Sequence, residues 1–252
     1  SRSGLMGQQL IAVVGGGQSG RGYCTPSDHD SEAAESGDPP WKPEGRNPEK
    51  LTGGTVFVYG LDEWWKLFTP RQLTALTTFS DLLPEVRERV IADAAAKGFI
   101  DDGVRLRDGG SGATAYADSI VTYLAFMVDK CAEFWCSVCT WNSATMQIRN
   151  TFARQAIPMT WDFAEANPFS RKMASWDSLM KGMAGALRSC LPDGGTGLAE
   201  SHQRDSRARV REATGAVVST DPPYYDNISY ADLSDFFFVW LRRNLADVWP
   251  DE

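Results

Sequence analysis

The expected fold is decided by the stretch Ala216-Val217-Val218-Ser219-Thr220-Asp221-Pro222-Pro223-Tyr224. Its first five residues are mostly apolar or β-branched; a glycine precedes them and two prolines follow. This pattern predicts a buried strand that stops abruptly at its carboxyl end. In open α/β sheets ligands bind at that edge. We therefore expect a binding site at residues 221–224.

The four residues after the predicted strand suit the recognition of a heteroaromatic amino group. The lone pair of such a nitrogen is delocalised into the ring and must leave conjugation before it can attack an electrophile. The Asp221 carboxylate and the Pro222 carbonyl can each accept one N–H. Pro223 adds a second fixed φ, and Tyr224 offers a flat face for an extruded base. The structural alternative is a Pro-Pro turn with a capping aspartate and a core tyrosine.

The methyl group of S-adenosyl-L-methionine is a suitable electrophile for this arrangement. It is attached to a sulfonium, so it carries its own leaving group and requires neither a metal nor a histidine. The chain has only two histidines, His29 and His202, and both lie in polar stretches. Hydrolase triads and histidine-ligated metal sites are therefore poorly supported.

Asp221-Pro222-Pro223-Tyr224 is the motif of amino-group DNA methyltransferases. Residues 220–243 closely resemble one branch, the prokaryotic adenine-specific DNA methylases with an N-terminal domain of unknown function and a long insertion. Further segments are similar to that branch, and these are residues 67–73, 79–82, 154–159 and 161–170. The resemblance implies methylation of the exocyclic amino group of adenine in DNA, with S-adenosyl-L-methionine as cofactor. It makes Asp221, Pro222, Pro223 and Tyr224 the catalytic residues.

The resemblance also implies which residues lie near the cofactor. Asp162, Glu165 and Asn167 belong to a matching segment, and Asp205 precedes the predicted strand where many methyltransferases have an acidic residue. The alternative for the 160–167 segment is a loop that caps the following helix. The family's F-x-G-x-G cofactor loop is expected upstream of Ser1, so we expect the isolated chain to bind the cofactor weakly or not at all and to be inactive by itself.

The fold class expected from these observations is α/β. We expect a partial Rossmann-like methyltransferase core with a largely helical insertion and an N-terminal β-hairpin. The predicted segments are residues 1–60 for the hairpin and a polar loop, 61–155 for the helical insertion, and 156–252 for part of the catalytic core.

Residues 15–20 contain a G-x-G-x-x-G run after a strand-like segment, which suggests a dinucleotide-binding loop. That loop binds phosphates only if a helix begins at its last glycine. Gly22 and Pro26 follow instead, so a hairpin between residues 10–14 and a short strand near Tyr23 is the favoured prediction.

The secondary structure in between is predicted mainly from periodicity. Thr69 and Pro70 are typical of a helix start. Helices are predicted over residues 84–97, 113–141, 143–154, 176–190 and 230–248. The apolar stripe of the long helix is predicted to be Tyr116, Ile120, Tyr123, Leu124, Met127 and Cys131. Residues 25–54 are predicted to be an irregular loop, and residues 55–60 a strand.

Composition limits the classes of protein that the chain can belong to. The 252 residues are 42% hydrophobic and carry a formal net charge of −8, which argues against a general nucleic-acid coat protein. Local basic clusters flank the motif, namely Arg204, Arg207, Arg209 and Arg211 before it and Arg242 and Arg243 after it. No apolar run is long enough to span a bilayer, and five cysteines make no disulfide framework. We therefore expect a cytoplasmic protein with no membrane partner.

Cys131, Cys136 and Cys139 have the C-x4-C-x2-C spacing of some iron–sulfur proteins. They fall within the predicted long helix, where thiolates cannot converge on a cluster. Small buried side chains are the favoured interpretation, and no metal site is predicted.

Other functions are compatible with the motif. A methyltransferase acting on RNA or on a protein glutamine uses a similar motif, more often with asparagine in place of Asp221. A non-catalytic DNA- or partner-docking fragment with a vestigial motif is favoured by the acidic charge.

Overall fold

A computed structural model describes residues 6–17, 20–170, 172–190, 217, 219–221 and 228–250. This part of the chain is mixed α/β, with two small antiparallel sheets. The α-helices are α1 (Asp28–Glu35), α2 (Pro70–Asp81), α3 (Leu83–Ala96), α4 (Ala113–Phe134), α5 (Trp176–Cys190) and α6 (Tyr230–Leu245). The strands are β1 (Val13–Gly17), β2 (Gly20–Cys24), β3 (Thr140–Asn142) and β4 (Gln147–Arg149). Short 3-10 helices occupy Phe57–Tyr59, Trp64–Leu67 and Leu106–Asp108.

Helix α4 lies at the centre of the fold, since α2, α3, α5 and α6 all contact it. Small side chains make up much of its buried surface and let neighbouring helices approach closely. They are Ala113, Ala115, Ala117, Val121, Ala125, Val128, Cys131 and Ala132. The predicted apolar stripe is correct at Met127 and Cys131, which are fully buried, but Tyr116 and Tyr123 lie on the exposed side. Small residues rather than aromatic ones therefore form the central contact.

An aromatic cluster fills the main hydrophobic core. Phe236 and Trp240 of α6 pack against Phe68, with ring centroids 5.9 Å and 5.6 Å apart. Aromatic pairs of this kind contribute about 0.5–1.5 kcal/mol each beyond the burial of their area. Because Val56, Phe68 and Phe236 belong to this one core, the three segments expected from the sequence share it.

The start of α2 is formed as the sequence predicts. The Thr69 hydroxyl accepts the Gln72 N–H at 3.2 Å, and the Gln72 side chain accepts the Thr69 N–H at 2.8 Å. Pro70 occupies the first helical turn, where its missing N–H costs nothing. This reciprocal cap satisfies two backbone donors inside the protein.

Helix α4 ends at Phe134, so the helix predicted to continue to residue 141 is wrong at its carboxyl end. The indole N–H of Trp135 donates to the Ala174 carbonyl at 2.6 Å. The backbone N–H and the hydroxyl of Ser137 both donate to the Leu67 carbonyl, at 2.7 Å and 2.9 Å. These buried tertiary bonds replace the bonds that another helical turn would make.

The helix predicted over residues 143–154 is also wrong. Thr140–Asn142 and Gln147–Arg149 pair as an antiparallel hairpin, with Trp141 opposite Ile148. Met146 in the connecting turn has a positive φ of 49°, which a helix does not tolerate. The hairpin buries Ile148 against the main core.

Two predictions between residues 25 and 60 need correction. The predicted loop contains α1, which begins with a capping box between Ser27 and Asp30. The predicted strand over 55–60 is a 3-10 turn, Phe57–Tyr59, that closes on the left-handed Gly60. The Thr55 hydroxyl donates to the Pro48 carbonyl at 2.8 Å and accepts the Phe57 N–H, which favours the turn over an extended chain.

The N-terminal hairpin is confirmed, with a shifted boundary. Strand β1 begins at Val13 and runs through the glycines to pair with β2, placing Val14 opposite Tyr23. Gly20 begins β2, so no helix opens there and the dinucleotide-loop alternative is wrong. The Trp141 indole N–H donates to the Tyr23 hydroxyl at 2.9 Å, which joins this hairpin to the one after α4.

Among the helices that the structure describes, every one is too short or too polar to cross a lipid bilayer.

Candidate functional site

The structure describes only part of the motif segment. Asp221 is exposed, while Pro222, Pro223 and Tyr224 lie outside the described residues. Val217 is 97% exposed, and Ser219 and Thr220 are exposed and have no strand pairing. The predicted buried strand is therefore not found at these positions. The Asp221 carboxylate is open to an incoming ligand.

The predicted helix after the motif is formed, but it ends at Leu245 and not at residue 248. Leu233, Phe236 and Trp240 of α6 are buried, which fixes the helix against α4. The Arg243 guanidinium pairs with Asp81 at 2.5 Å and lies over the Trp41 ring at 4.8 Å. Arg243 therefore has a structural role. Arg242 is exposed and contacts the Phe238 ring. The arginines predicted to flank the other side of the site lie outside the described residues.

An open groove of about 600 Å³ lies at the start of α6. Ser229 and Asp232 form one side, and the loop from Lys50 to Thr55 forms the other. Its size is in the range of small-molecule sites, but it is wide and polar. Sequence reasoning missed it because a polar loop carries no signal of which helix it faces.

Asp162, Glu165 and Asn167, which were predicted to lie near the cofactor, are held in one loop. The Asn167 side-chain oxygen accepts the Phe169 N–H at 2.9 Å, which makes a tight Asx turn. Asp162 is exposed, and Asp205 lies outside the described residues. The backbone of this loop is held by the Ala164 N–H, which donates to the Cys139 carbonyl at 2.9 Å. Asp162 and Asn167 thus share one loop.

Glu165 has partners that explain its position without a cofactor. Its carboxylate pairs with the Arg71 guanidinium at 2.9 Å and lies 3.4 Å from the Thr69 hydroxyl. Arg71 lies in the first turn of α2 and Thr69 caps that turn, at the helix end where the dipole favours negative charge. Glu165 therefore anchors the loop to α2.

Two aromatic residues near this loop were not predicted as functional. Trp161 is 67% exposed and packs edge-on against Tyr59 with ring centroids 5.4 Å apart. Phe169 is 82% exposed. Exposed aromatic faces of this kind can stack on bases. The sequence carried only the weak signal of aromatic residues within a polar segment.

The strongest perturbations of ionisable groups lie along and just after α4. Burial raises the pKa of Asp129 to about 9. Burial also raises the pKa of the Cys136 thiol, whereas hydrogen bonding from Cys136 lowers the pKa of Cys139. Perturbed groups often mark functional sites, although structural burial perturbs them too. They single out the end of α4 as a second region to consider.

Cys136 and Cys139 lie in the turn after α4, and only Cys131 lies in the helix. The expectation that all three share one helix is therefore wrong. The Cys136 and Cys139 sulfurs are 3.4 Å apart. In the part of the chain that the structure describes, no three His, Cys, Asp or Glu side chains are grouped to hold a metal ion.

Comparisons with known proteins complete this description. A scan against protein-family models found no match to the chain, and searches of curated proteins and of solved structures found none either.

Proposed function

We propose that this chain carries the target-base site of an adenine-specific DNA methyltransferase. The proposal rests on the resemblance of residues 220–243 to that family, and on the exposed Asp221 at the start of the motif. A carboxylate that is to bind a nucleobase must be reachable from solvent, and Asp221 meets that requirement. Helix α6 begins six residues after Tyr224 and is itself packed against the core.

The proposed role of Asp221 is to accept an N–H from the exocyclic amino group of adenine. The Pro222 carbonyl would accept the second N–H, and the ring of Tyr224 would stack on the extruded base. Two fixed acceptors hold the nitrogen closer to tetrahedral geometry and free its lone pair. DNA is the proposed partner, with the base entering from the open side of Asp221.

S-adenosyl-L-methionine is the cofactor that the resemblance implies, and it would supply the methyl group. The residues that were expected near the cofactor do not form a pocket for it. Asn167 uses its side-chain oxygen in a turn, Glu165 is paired with Arg71, and Gly15 lies in a hairpin strand. Cofactor binding therefore requires residues other than these, and the chemistry assigned here is limited to holding the target amine.

A Rossmann-like core is part of the proposal. Such a core needs a parallel sheet, and the described residues form only two-stranded antiparallel sheets. We propose that residues 216–220 become a sheet strand when further strands pack beside them. The exposure of Val217 supports this idea, because a large apolar side chain in water gains free energy when it is covered.

The test is methyl transfer to DNA by the full-length protein, with Asp221→Ala compared with wild type. We expect a loss of about a hundredfold or more, as when one preorganised catalytic contact is removed. Asp235→Ala is the matched control, because Asp235 is an exposed aspartate on α6 outside the motif. Equal activity of Asp221→Ala and wild type would overturn the proposal.

A second candidate is a docking fragment without catalysis. It is favoured by the structural roles of Asn167 and Glu165, which were expected near the cofactor but are engaged in a turn and in an ion pair. Calorimetry with S-adenosyl-L-methionine on full-length protein separates the two. Binding supports the enzyme, whereas absence of binding together with retained DNA binding supports docking.

A further inference from the structure

The turn after α4 brings two thiols into contact. Cys136 and Cys139 are fully buried, and their sulfurs are 3.4 Å apart. A disulfide has a sulfur–sulfur length of about 2.05 Å, so the two atoms need to approach by about 1.4 Å. The two sulfurs are thus in direct contact, which a pair that forms a disulfide requires.

One hydroxyl organises the pair. The Thr151 hydroxyl donates its only hydrogen to the Glu133 carbonyl at 2.9 Å, so its oxygen can only accept from a thiol. It lies 2.7 Å from the Cys136 sulfur and 3.5 Å from the Cys139 sulfur. Cys139 also reaches the Glu133 carbonyl, at 3.2 Å. The reduced pair therefore has hydrogen-bond partners while both thiols remain buried.

We propose that Cys136 and Cys139 form a redox pair that a small peroxide oxidises to an intramolecular disulfide. The pair lies in a turn, where a C-x2-C spacing lets two sulfurs meet. Cys131, on the helix, is fully buried and is given no such role. The proposal is independent of the methyltransferase function and concerns a different part of the molecule.

The oxidation balances with hydrogen peroxide as the oxidant. The Cys139 sulfur attacks one peroxide oxygen, the O–O bond breaks, and one water leaves with the Cys139 proton, so that a sulfenic acid remains. The Cys136 sulfur then attacks the Cys139 sulfur, the S–O bond breaks, and a second water leaves with the Cys136 proton. The two thiols together lose two electrons, and the two peroxide oxygens gain them.

Cys139 is the first nucleophile in this sequence. Once Cys139 has lost its proton, the single S–H of Cys136 can donate to the Cys139 sulfur instead of to Thr151. This hydrogen bond lowers the pKa of Cys139 against the opposing effect of burial, whereas burial raises the pKa of Cys136. The thiolate is the reactive form of cysteine. Because both sulfurs are buried, peroxide can reach them far more easily than a large disulfide oxidant can.

The disulfide would make the turn after α4 more rigid, and this turn contacts both the segment before α2 and the loop at Ala164. Ser137, between the two cysteines, donates to the Leu67 carbonyl just before α2. The Cys139 carbonyl accepts from Ala164 in the loop that contains Asp162 and Asn167. Oxidation therefore reaches the loop predicted to lie near the cofactor through one hydrogen bond.

The test is differential alkylation of the whole protein, in a background where the exposed Cys24 and Cys190 are changed to serine. The protein is treated with hydrogen peroxide, unfolded, blocked with a first alkylating reagent, reduced and labelled with a second. We expect the second label on Cys136 and Cys139 alone. Oxidation by glutathione disulfide under native conditions should be at least tenfold slower than oxidation by peroxide.

Two variants sharpen this test. Cys136→Ser should stop the reaction at the Cys139 sulfenic acid, which a dimedone probe traps. Cys131→Ser is the matched control and should still form the disulfide. The proposal is wrong if Cys136 and Cys139, both unchanged, stay reduced while a free peptide thiol in the same sample is oxidised. A disulfide that includes Cys131 would also overturn it.

Discussion

Helix α4 buries two aspartates about three turns apart, and their surroundings are opposite. Asp118 is fully buried and accepts from the guanidinium groups of Arg87 at 2.8 Å and Arg105 at 2.7 Å. Asp129 is almost as buried, at 6% exposed, and among the described residues no hydrogen-bond donor reaches its Oδ1 atom. Within the described part of the chain, the Asp118 carboxyl has ion partners and the Asp129 carboxyl has none.

The difference appears in the pKa values of the two acids. Burial alone would raise the pKa of Asp118, but hydrogen bonds from Arg105, Arg87 and the Leu106 amide outweigh it, so the pKa is lowered. Burial without compensation raises the pKa of Asp129 to about 9. Asp129 is therefore protonated at neutral pH. The first half of α4 is therefore held by ion pairs between side chains, whereas the second half contains a buried aspartic acid that stays neutral.

The largest effect is expected from Asp118→Ala. It removes the shared partner of two arginines and the acceptor of the Leu106 N–H. Removing one partner of a buried ion pair costs about 3–5 kcal/mol. Because both arginine side chains are partly exposed, we expect the lower end of that range. Urea unfolding measures the loss as a lower midpoint at an unchanged slope.

Asp93→Ala is the control for this measurement. Asp93 pairs with Arg89 on the surface of α3, with both side chains more than half exposed. Exposed pairs contribute about 0–1 kcal/mol. Comparable losses in the two variants would mean that burial does not distinguish Asp118.

The next largest effect is the pH dependence of the free energy of unfolding that Asp129 causes. Its folded pKa of about 9 lies above the unfolded value of about 3.9. The stability linked to its protonated form is fully present below pH 4 and is lost as the pH rises towards 9. The slope is at most about 1.4 kcal/mol per pH unit. The Asp129→Asn variant lacks this pH dependence. Its free energy of unfolding, relative to that of wild type, should therefore rise by about 2–4 kcal/mol between pH 5 and pH 8.

Urea unfolding at several pH values tests the point. Parallel curves for wild type and Asp129→Asn would show that another group titrates. The control is Asp232→Asn on α6, because Asp232 lines an open groove and should leave the slope unchanged.

A smaller effect on stability is expected to distinguish Arg105 from Arg87. Arg105 donates to Asp118 and also to the Asp247 carbonyl at 2.7 Å, so it joins α4 to the turn after α6. The second contact of Arg87 is with the exposed Glu88. A lysine cannot make both bonds of the guanidinium fork. Arg105→Lys should therefore cost about 1 kcal/mol more than Arg87→Lys in urea unfolding; equal costs would contradict this link.

The sequence allowed the helices around Asp118 and Asp129 to be predicted, but not the difference between the surroundings of the two acids. Thr69 and Pro70 predict the start of α2 because a cap is a local interaction. In the sequence, Asp118 and Asp129 look alike, because both flank the same apolar run of residues 120–128. The partners of Asp118 are 31 and 13 residues away along the chain. Periodicity contains no information about pairs at that distance, so the two acids could not be told apart.

The prediction of where α4 ends was wrong for the same reason, because that end depends on contacts with distant parts of the chain. Residues 135–141 continue an apolar, helix-like pattern, yet Trp135 and Ser137 bond to Ala174 and Leu67. Those contacts exist only after folding. At the candidate site, the sequence predicted the presence of α6, because its periodicity is regular. It did not predict the exposure of Val217, since neighbouring strands decide whether an apolar run is covered.

The smallest expected change in stability is at a third aspartate. Asp221 is exposed and precedes residues that the structure does not describe. If its role is to bind a base, Asp221→Ala should change the free energy of unfolding by less than about 0.5 kcal/mol, as for most surface substitutions. If it is the capping aspartate of a turn, the loss should reach about 1 kcal/mol. Unfolding and methyl transfer measured on one preparation then separate a ligand-binding acid from a structural one, which activity alone cannot do.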